Sequence, residues 1–107
     1  MVERVWERVI TIISDAGRTG EANLAVYCAA KAAAAGFSRA LAKELGPHGV
    51  TANAVALGTL TIPGNPGGIN ERLAHRYPVG RVGAPDDVTP AVLRLASYGS
   101  EADILRA

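Results

Sequence analysis

The stretch from Val9 to Leu57, VITIISDAGRTGEANLAVYCAAKAAAAGFSRALAKELGPHGVTANAVAL, decides the fold. It opens on Val9-Ile10-Thr11-Ile12-Ile13, an unbroken β-branched run that makes a poor helix and reads as a buried strand over about 9–14. Asp15 to Ala22 holds Gly17 and Gly20 and few apolar side chains, which predicts a connecting loop, with Asn23 as the cap of the next element. From Leu24 to Leu45 alanine dominates. Ala30, Phe37, Leu41 and Leu45 are spaced for one face of a helix, and Arg39, Lys43 and Glu44 are available to water. Gly46 and Pro47 stop that helix, since glycine tolerates a left-handed backbone and proline cannot continue the hydrogen-bond ladder. Val50 to Leu57 is small, branched and uncharged, and fits a second buried strand. Strand, helix, strand is one βαβ unit, so the fold class is α/β with parallel strands.

On the N-terminal side, Val2, Val5, Trp6 and Val9 recur at helical spacing among charged residues and predict the last turns of an amphipathic helix. On the C-terminal side, Thr59 to Tyr77 carries Pro63, Gly64, Pro66, Gly67 and Gly68. This predicts a long loop over the sheet edge, with a short helix near Ile69 to His75. A later helix is expected over about 86–97. Pro90 would clash there with the Asp86 carbonyl. Thr89 as cap and Pro90 as first helical residue, after a turn from Pro85 to Val88, removes the conflict; a longer, kinked helix is the alternative.

With 107 residues, the chain is read as one domain over 1–107. Eleven Lys and Arg against ten Asp and Glu leave no broad field to steer phosphates or anionic surfaces, so nucleic acid is not an expected partner. Cys28 is the only cysteine, which excludes an intramolecular disulfide and a four-cysteine zinc site and makes a reducing cytoplasm the expected setting. No stretch reaches the ~18 apolar residues of a membrane span. Cys28 is read as a small packing residue, Asp86 and Asp87 as partners of a helix dipole, and neither His48 nor His75 as a ligand, so no metal is expected.

Chemistry concentrates on one helix. Tyr27 and Lys31 stand four apart in Tyr27-Cys28-Ala29-Ala30-Lys31 and project from one face. A phenol is ionised to only about one part in a thousand at neutral pH, and a neighbouring ammonium favours the phenolate, which makes such a pair a usable acid and base. Ser14 closes the first strand, at the sheet edge where ligands of parallel sheets lie. Its hydroxyl is in a position to hold a carbonyl oxygen against the phenol.

Ile12-Ile13-Ser14, Gly17, Gly20, Tyr27-x-x-x-Lys31 and the run from Gly49 to Gly58 resemble the catalytic segment of the short-chain dehydrogenase/reductase family. Tyr77-Pro78-Val79-Gly80-Arg81-Val82-Gly83-Ala84-Pro85-Asp86-Asp87-Val88 resembles the entry into that family's late helix. The resemblance runs from about Val9 to Ser97 and implies a partial Rossmann-like, doubly wound fold, the C-terminal catalytic half of the family's domain cut at both ends. It implies an oxidoreductase that interconverts a small-molecule carbonyl and alcohol with NAD or NADP. In that reading Ser14, Tyr27 and Lys31 are catalytic. Tyr27 exchanges the proton, Lys31 favours the phenolate and contacts the nicotinamide ribose, and Ser14 orients the reacting oxygen. Tyr27, Lys31, Gly58 and Leu60 would bind cofactor, Leu60 through its backbone to the carboxamide, and Asn53 would pin neighbouring backbone. Two residues depart from the family: Leu57 stands where proline is usual, and Ile62 where a threonine often touches the carboxamide, with Thr61 one position early. The family's glycine-rich phosphate turn and the asparagine of its catalytic tetrad would lie before Met1. Helix 24–45 is expected to build a homo-oligomer, and the rival reading is a non-catalytic oligomerisation or structural module.

Overall fold

The structure, a computed structural model, describes residues 7–97. Strand β1 is Glu7–Ser14 and β2 is Val50–Leu57; the helices are α1 Ala16–Thr19, α2 Ala25–Leu45, α3 Ile69–Ala74 and α4 Pro85–Ala96. Short 3-10 turns occupy Gly46–His48 and Pro66–Gly68. β1 and β2 pair in parallel from Glu7 opposite Val50 to Ser14 opposite Leu57, with α2 as the crossover. This is the expected βαβ unit. Ile12 and Leu57 share a groove with Val88, Val92 and Leu93 of α4, whereas Ile13 and Ala56 share one with Lys31, Ala32 and Ala35 of α2. Adjacent strand residues point to opposite faces, so the two helices cover the sheet from opposite sides. Among the described residues the buried apolar side chains are Val50, Ala52 and Val82.

Several elements differ from the sequence reading, each for a local reason. β1 starts at Glu7, two residues before the β-branched run, because Glu7 and Arg8 find partners in Val50 and Thr51. The helix expected around Val2 to Trp6 lies outside the described residues, and Val9, its last member, is in the strand. The supposed loop after Ser14 contains the single-turn α1. Arg18 reaches back to the Asp15 carboxylate at 3.0 Å while the Asp15 carbonyl accepts the amides of Arg18 and Thr19. Asn23 does not cap α2. It takes a left-handed conformation with φ of 70°, which asparagine tolerates, and α2 follows Leu24 with no side-chain cap.

The buried face of α2 is also rotated from the expected one. Phe37 is 63% exposed and Ala30 is exposed, while Cys28, Lys31, Ala35, Ser38, Ala42 and Leu45 turn inward at helical spacing. Leu41 and Leu45 are half-buried as expected. Among the described residues the sheet is two strands wide and covers a narrow stripe of helix, and the small side chains of that stripe let the backbones approach, leaving the aromatic ring outside. At the other end Gly46 keeps a right-handed backbone with φ of −52°, and the left-handed residue is Gly49 at 82°, one 3-10 turn later.

Helix α4 is the longer of the two alternatives. Pro85 occupies its first position and Pro90 lies inside it, so Thr89 is not a cap; its hydroxyl donates to the Pro85 carbonyl at 3.4 Å. The start is secured by Asp87, whose Oδ2 accepts the Ala84 amide at 2.8 Å and an Arg81 guanidinium N–H at 3.0 Å. These donors outcompete a start at Thr89 and outweigh Pro90, which forgoes the ladder bond to Asp86 and crowds its carbonyl.

The Arg81 hydrogen bond, and after it the Ala84 amide, holds the Asp87 carboxyl below its ordinary value. A depressed folded-state value stabilises above the unfolded pKa and ceases to do so as pH falls through the lower folded value. Asp87→Asn is therefore expected to lower the melting temperature slightly at pH 7. The difference from the unaltered chain should close as pH drops below about 3.9, the ordinary Asp value. Thermal scans of both proteins from pH 7 to pH 2 check it; a gap that persists in acid contradicts the assignment.

Candidate active site

Parallel pairing brings the ends of β1 and β2 to the same edge, with Ser14 directly opposite Leu57. The Ser14 hydroxyl accepts the Ala16 amide at 3.2 Å, which seats α1 against the strand end. Tyr27 lies in the first turn of α2 and is 45% exposed. Ser14, Tyr27, Leu57, Gly58, Thr59 and Tyr77 line one cleft of about 240 Å³ at this edge. The structure thus brings Ser14, Tyr27 and Gly58 of the sequence-derived set together.

Lys31 sits one turn further along α2. Its ammonium lies 5.8 Å from the centroid of the Tyr27 ring and donates to the Ile12 carbonyl at 3.4 Å. It opens on a neighbouring cavity of about 220 Å³ that it shares with Ser14, Gly17 and Ala32, so Ser14 is common to both spaces. Gly17 is what permits this arrangement. A Cβ there would lie 2.8 Å from the Ala32 amide nitrogen and 3.0 Å from the Lys31 carbonyl carbon, so α1 approaches α2 at Lys31 more closely than any side chain allows.

Leu60 is placed differently. It bridges Gly83 in parallel fashion: the Gly83 amide donates to the Thr59 carbonyl at 2.9 Å and the Thr61 amide to the Gly83 carbonyl at 2.7 Å. In that pattern the amide and carbonyl of Leu60 itself face away from Gly83, and neither has a partner among the described residues. Its side chain lies in the apolar groove with Ile12, Leu57 and Val88, not in the cleft. Ile62 spends its backbone on Asn70, donating at 2.9 Å and accepting at 3.3 Å. Asn53 sits inside β2 opposite Ile10; its Nδ2 is buried with no partner among the described residues, so the backbone pin expected of it is not seen.

The residue that sequence reasoning missed is Tyr77. Its hydroxyl accepts the Thr59 amide at 2.8 Å and donates to Thr59 Oγ1 at 2.7 Å. Spacing carries no sign of a link between residues eighteen apart across a loop of glycines and prolines. His48 and His75 are exposed. No three His, Cys, Asp or Glu converge among the described residues, and no helix among them is long and apolar enough to cross a membrane.

The family model for enoyl-(acyl carrier protein) reductase matches residues 1–102. Nodulation protein G of Azospirillum brasilense is 42% identical over 100 residues, covering 91% of this chain and 41% of that protein. Acetoacetyl-CoA reductase of Shinella zoogloeoides is 40% identical over 101 residues, covering 91% of this chain and 42% of the relative. Among solved structures, a 3-oxoacyl-[acyl-carrier protein] reductase from Brucella melitensis with bound NAD superposes with a TM-score of 0.82 at 34% identity, covering 94% of this chain and 37% of that one. The chain spans about two fifths of the length of the curated relatives it matches. Its α/β fold is Rossmann-like in part.

Gly17→Ala must push α1 away from α2, because the atoms it meets are rigid backbone. A destabilisation of about 1–3 kcal/mol, the usual penalty of overpacking, is expected. Denaturant titration measures it; wild-type stability in the variant would show that the contact yields freely.

Proposed function

Because the chain belongs to the short-chain dehydrogenase/reductase family, we propose that it forms the C-terminal catalytic portion of a nicotinamide-dependent oxidoreductase that interconverts a carbonyl and an alcohol. The observation that carries this reading is the cleft at the C-terminal edge of the parallel strands, which Ser14, Tyr27 and Gly58 line together, with Lys31 one helical turn away. In reduction Tyr27 gives its phenolic proton to the carbonyl oxygen; in oxidation it takes that proton from the alcohol. Ser14 holds the same oxygen by hydrogen bonding and sets its distance from the phenol. Lys31, poised over the ring, stabilises the phenolate that proton donation leaves and reaches toward a ribose.

The residues fit the nicotinamide end of NAD or NADP. The amide and carbonyl of Leu60, without partners among the described residues, are one donor and one acceptor, the complement of a carboxamide, and Gly58 leaves the cleft wall without a side chain. When bound, the cofactor supplies hydride, which no side chain of this chain can provide. The names of the relatives and of the superposed structure favour a 3-oxoacyl thioester as the carbonyl substrate. Residues 1–107 act as one unit in this reading, in a cytoplasmic setting.

The outer face of α2 supports a homo-oligomer, with Val26 at 85% and Phe37 at 63% exposure on a single helix. Phe37→Asp is expected to shift the sedimentation profile to smaller species; an unchanged profile excludes this face as the contact.

Calorimetric titration of the chain with NADH and NADPH is the direct test. Saturable binding is expected, with loss on Lys31→Ala. With acetoacetyl-CoA and the bound nucleotide, Tyr27→Phe should lower turnover by about 10²–10⁴-fold, the typical share of a general acid. Folded chain that binds neither nucleotide at millimolar concentration overturns the proposal.

A further inference from the structure

The segment Gly58-Thr59-Leu60 leaves the end of β2 as irregular chain, yet it is held at every polar group of Thr59. The Thr59 carbonyl takes the Gly83 amide at 2.9 Å, the amide donates to the Tyr77 hydroxyl at 2.8 Å, and Oγ1 accepts the Tyr77 proton at 2.7 Å. Thr61 is tied to the Gly83 carbonyl at 2.7 Å. With both neighbours of Leu60 fixed, its own peptide groups have one direction left, away from Gly83.

Tyr77 is itself held in place. Its amide donates to the Ala74 carbonyl at 3.1 Å, just past the end of α3, and its carbonyl accepts the Gly80 amide at 2.9 Å. The ring is half-buried and forms the wall of the cleft beside Gly58, across which Ser14 and Tyr27 lie. A Cβ on Gly58 would come within 3.3 Å of the Tyr77 hydroxyl, so the glycine that bares the cleft wall also makes room for the phenol to reach Thr59.

We propose that Tyr77 is a positioning residue for the nicotinamide carboxamide: by clasping Thr59 it fixes the Leu60 peptide in the orientation that a ligand carboxamide needs. The proposal rests on the reading of the cleft as a nicotinamide site. Tyr77 touches neither substrate nor cofactor in this role; it acts through Thr59. The two hydrogen bonds of its hydroxyl replace, for this loop, the continuous ladder that would orient a residue inside a strand.

The test is made on the full chain with NADH and NADPH as probes. Tyr77→Phe keeps the ring and removes both bonds to Thr59. It is expected to raise the nucleotide Kd about five- to tenfold, the effect of losing roughly one net hydrogen bond's worth of preorganisation. The Thr59 amide, slow to exchange with solvent in the unaltered chain, should become fast, while α2 and β2 amides keep their protection. Thr59→Ser, which retains every clasped group, should bind as the unaltered chain does. Thr59→Val weakens binding by itself, and combined with Tyr77→Phe it should add nothing, because both act on the same clasp. Gly58→Ala, which crowds the phenol, should reproduce the effect of Tyr77→Phe. Nucleotide binding that Tyr77→Phe leaves unchanged, or additive losses in the double variant, overturns the Tyr77 assignment while the oxidoreductase reading stands. Equal Thr59 exchange in both proteins overturns it as well. Failure of the unaltered chain to bind either nucleotide removes the oxidoreductase reading and this inference with it.

Discussion

Everything at the candidate site depends on the parallel register of β1 and β2. Ser14 stands opposite Leu57, so the chain leaves both strands at one level, and α1 and Gly58 emerge side by side. A slip of one residue would turn Ser14 to the opposite face of the sheet and carry its hydroxyl away from Tyr27, since side chains alternate strictly along a strand. Register here is set by β-branched side chains in β1 and smaller ones in β2, with Val50, fully buried, at the first position of the pairing. The catalytic geometry of the proposed enzyme is thus decided at the far end of the strands from where it is used.

Helix α2 links the register to the chemistry. Its inward stripe of small residues brings it close to the sheet, and Gly17 lets α1 press against it at Lys31. The outward face, where Val26 and Phe37 are exposed, is then free for another surface. Exposed apolar side chains also occur away from α2, at Ile12, Val79 and Leu93, and among the described residues each strand of the sheet pairs on one side only. A structure with three buried apolar residues among those described buries little of its own hydrophobic surface.

The parts legible in the sequence were those with local signals. β2 matches its uncharged run from Val50 to Leu57 residue for residue, and α2 is within one residue of the alanine-rich segment. The motif residues were legible because helical spacing alone carries Tyr27 and Lys31 to one side. What failed was decided by partners distant in sequence. Which face of α2 turns inward depends on the width of the sheet, which no periodicity within the helix reports. The start of α4 depends on Arg81 and Ala84 converging on Asp87, and the sequence, which shows only the clash at Pro90, left open a cap at Thr89 and the longer helix that forms. Tyr77 was invisible for the same reason: its role exists only once the loop has folded back on Thr59.

The placement of Lys31 constrains what it does in the proposed reaction. Its ammonium lies over the side of the Tyr27 ring, 5.8 Å from the centroid, and is partly satisfied by the Ile12 carbonyl. In the proposed reaction the field of its charge bears on the phenolate that Tyr27 leaves after giving up its proton. A field of that kind is weakened by water, and Tyr27 is 45% exposed. On this reading the pair works best when the cleft is filled, because a bound ligand excludes the water that screens Lys31 from the phenol. The long contact to the Ile12 carbonyl, at 3.4 Å, is weak enough to yield to a ribose hydroxyl. On the proposed reading Gly58 and Tyr77 shape the wall of the cleft that a ligand enters, while the phenol of Tyr27 and the hydroxyl of Ser14 face the reacting oxygen.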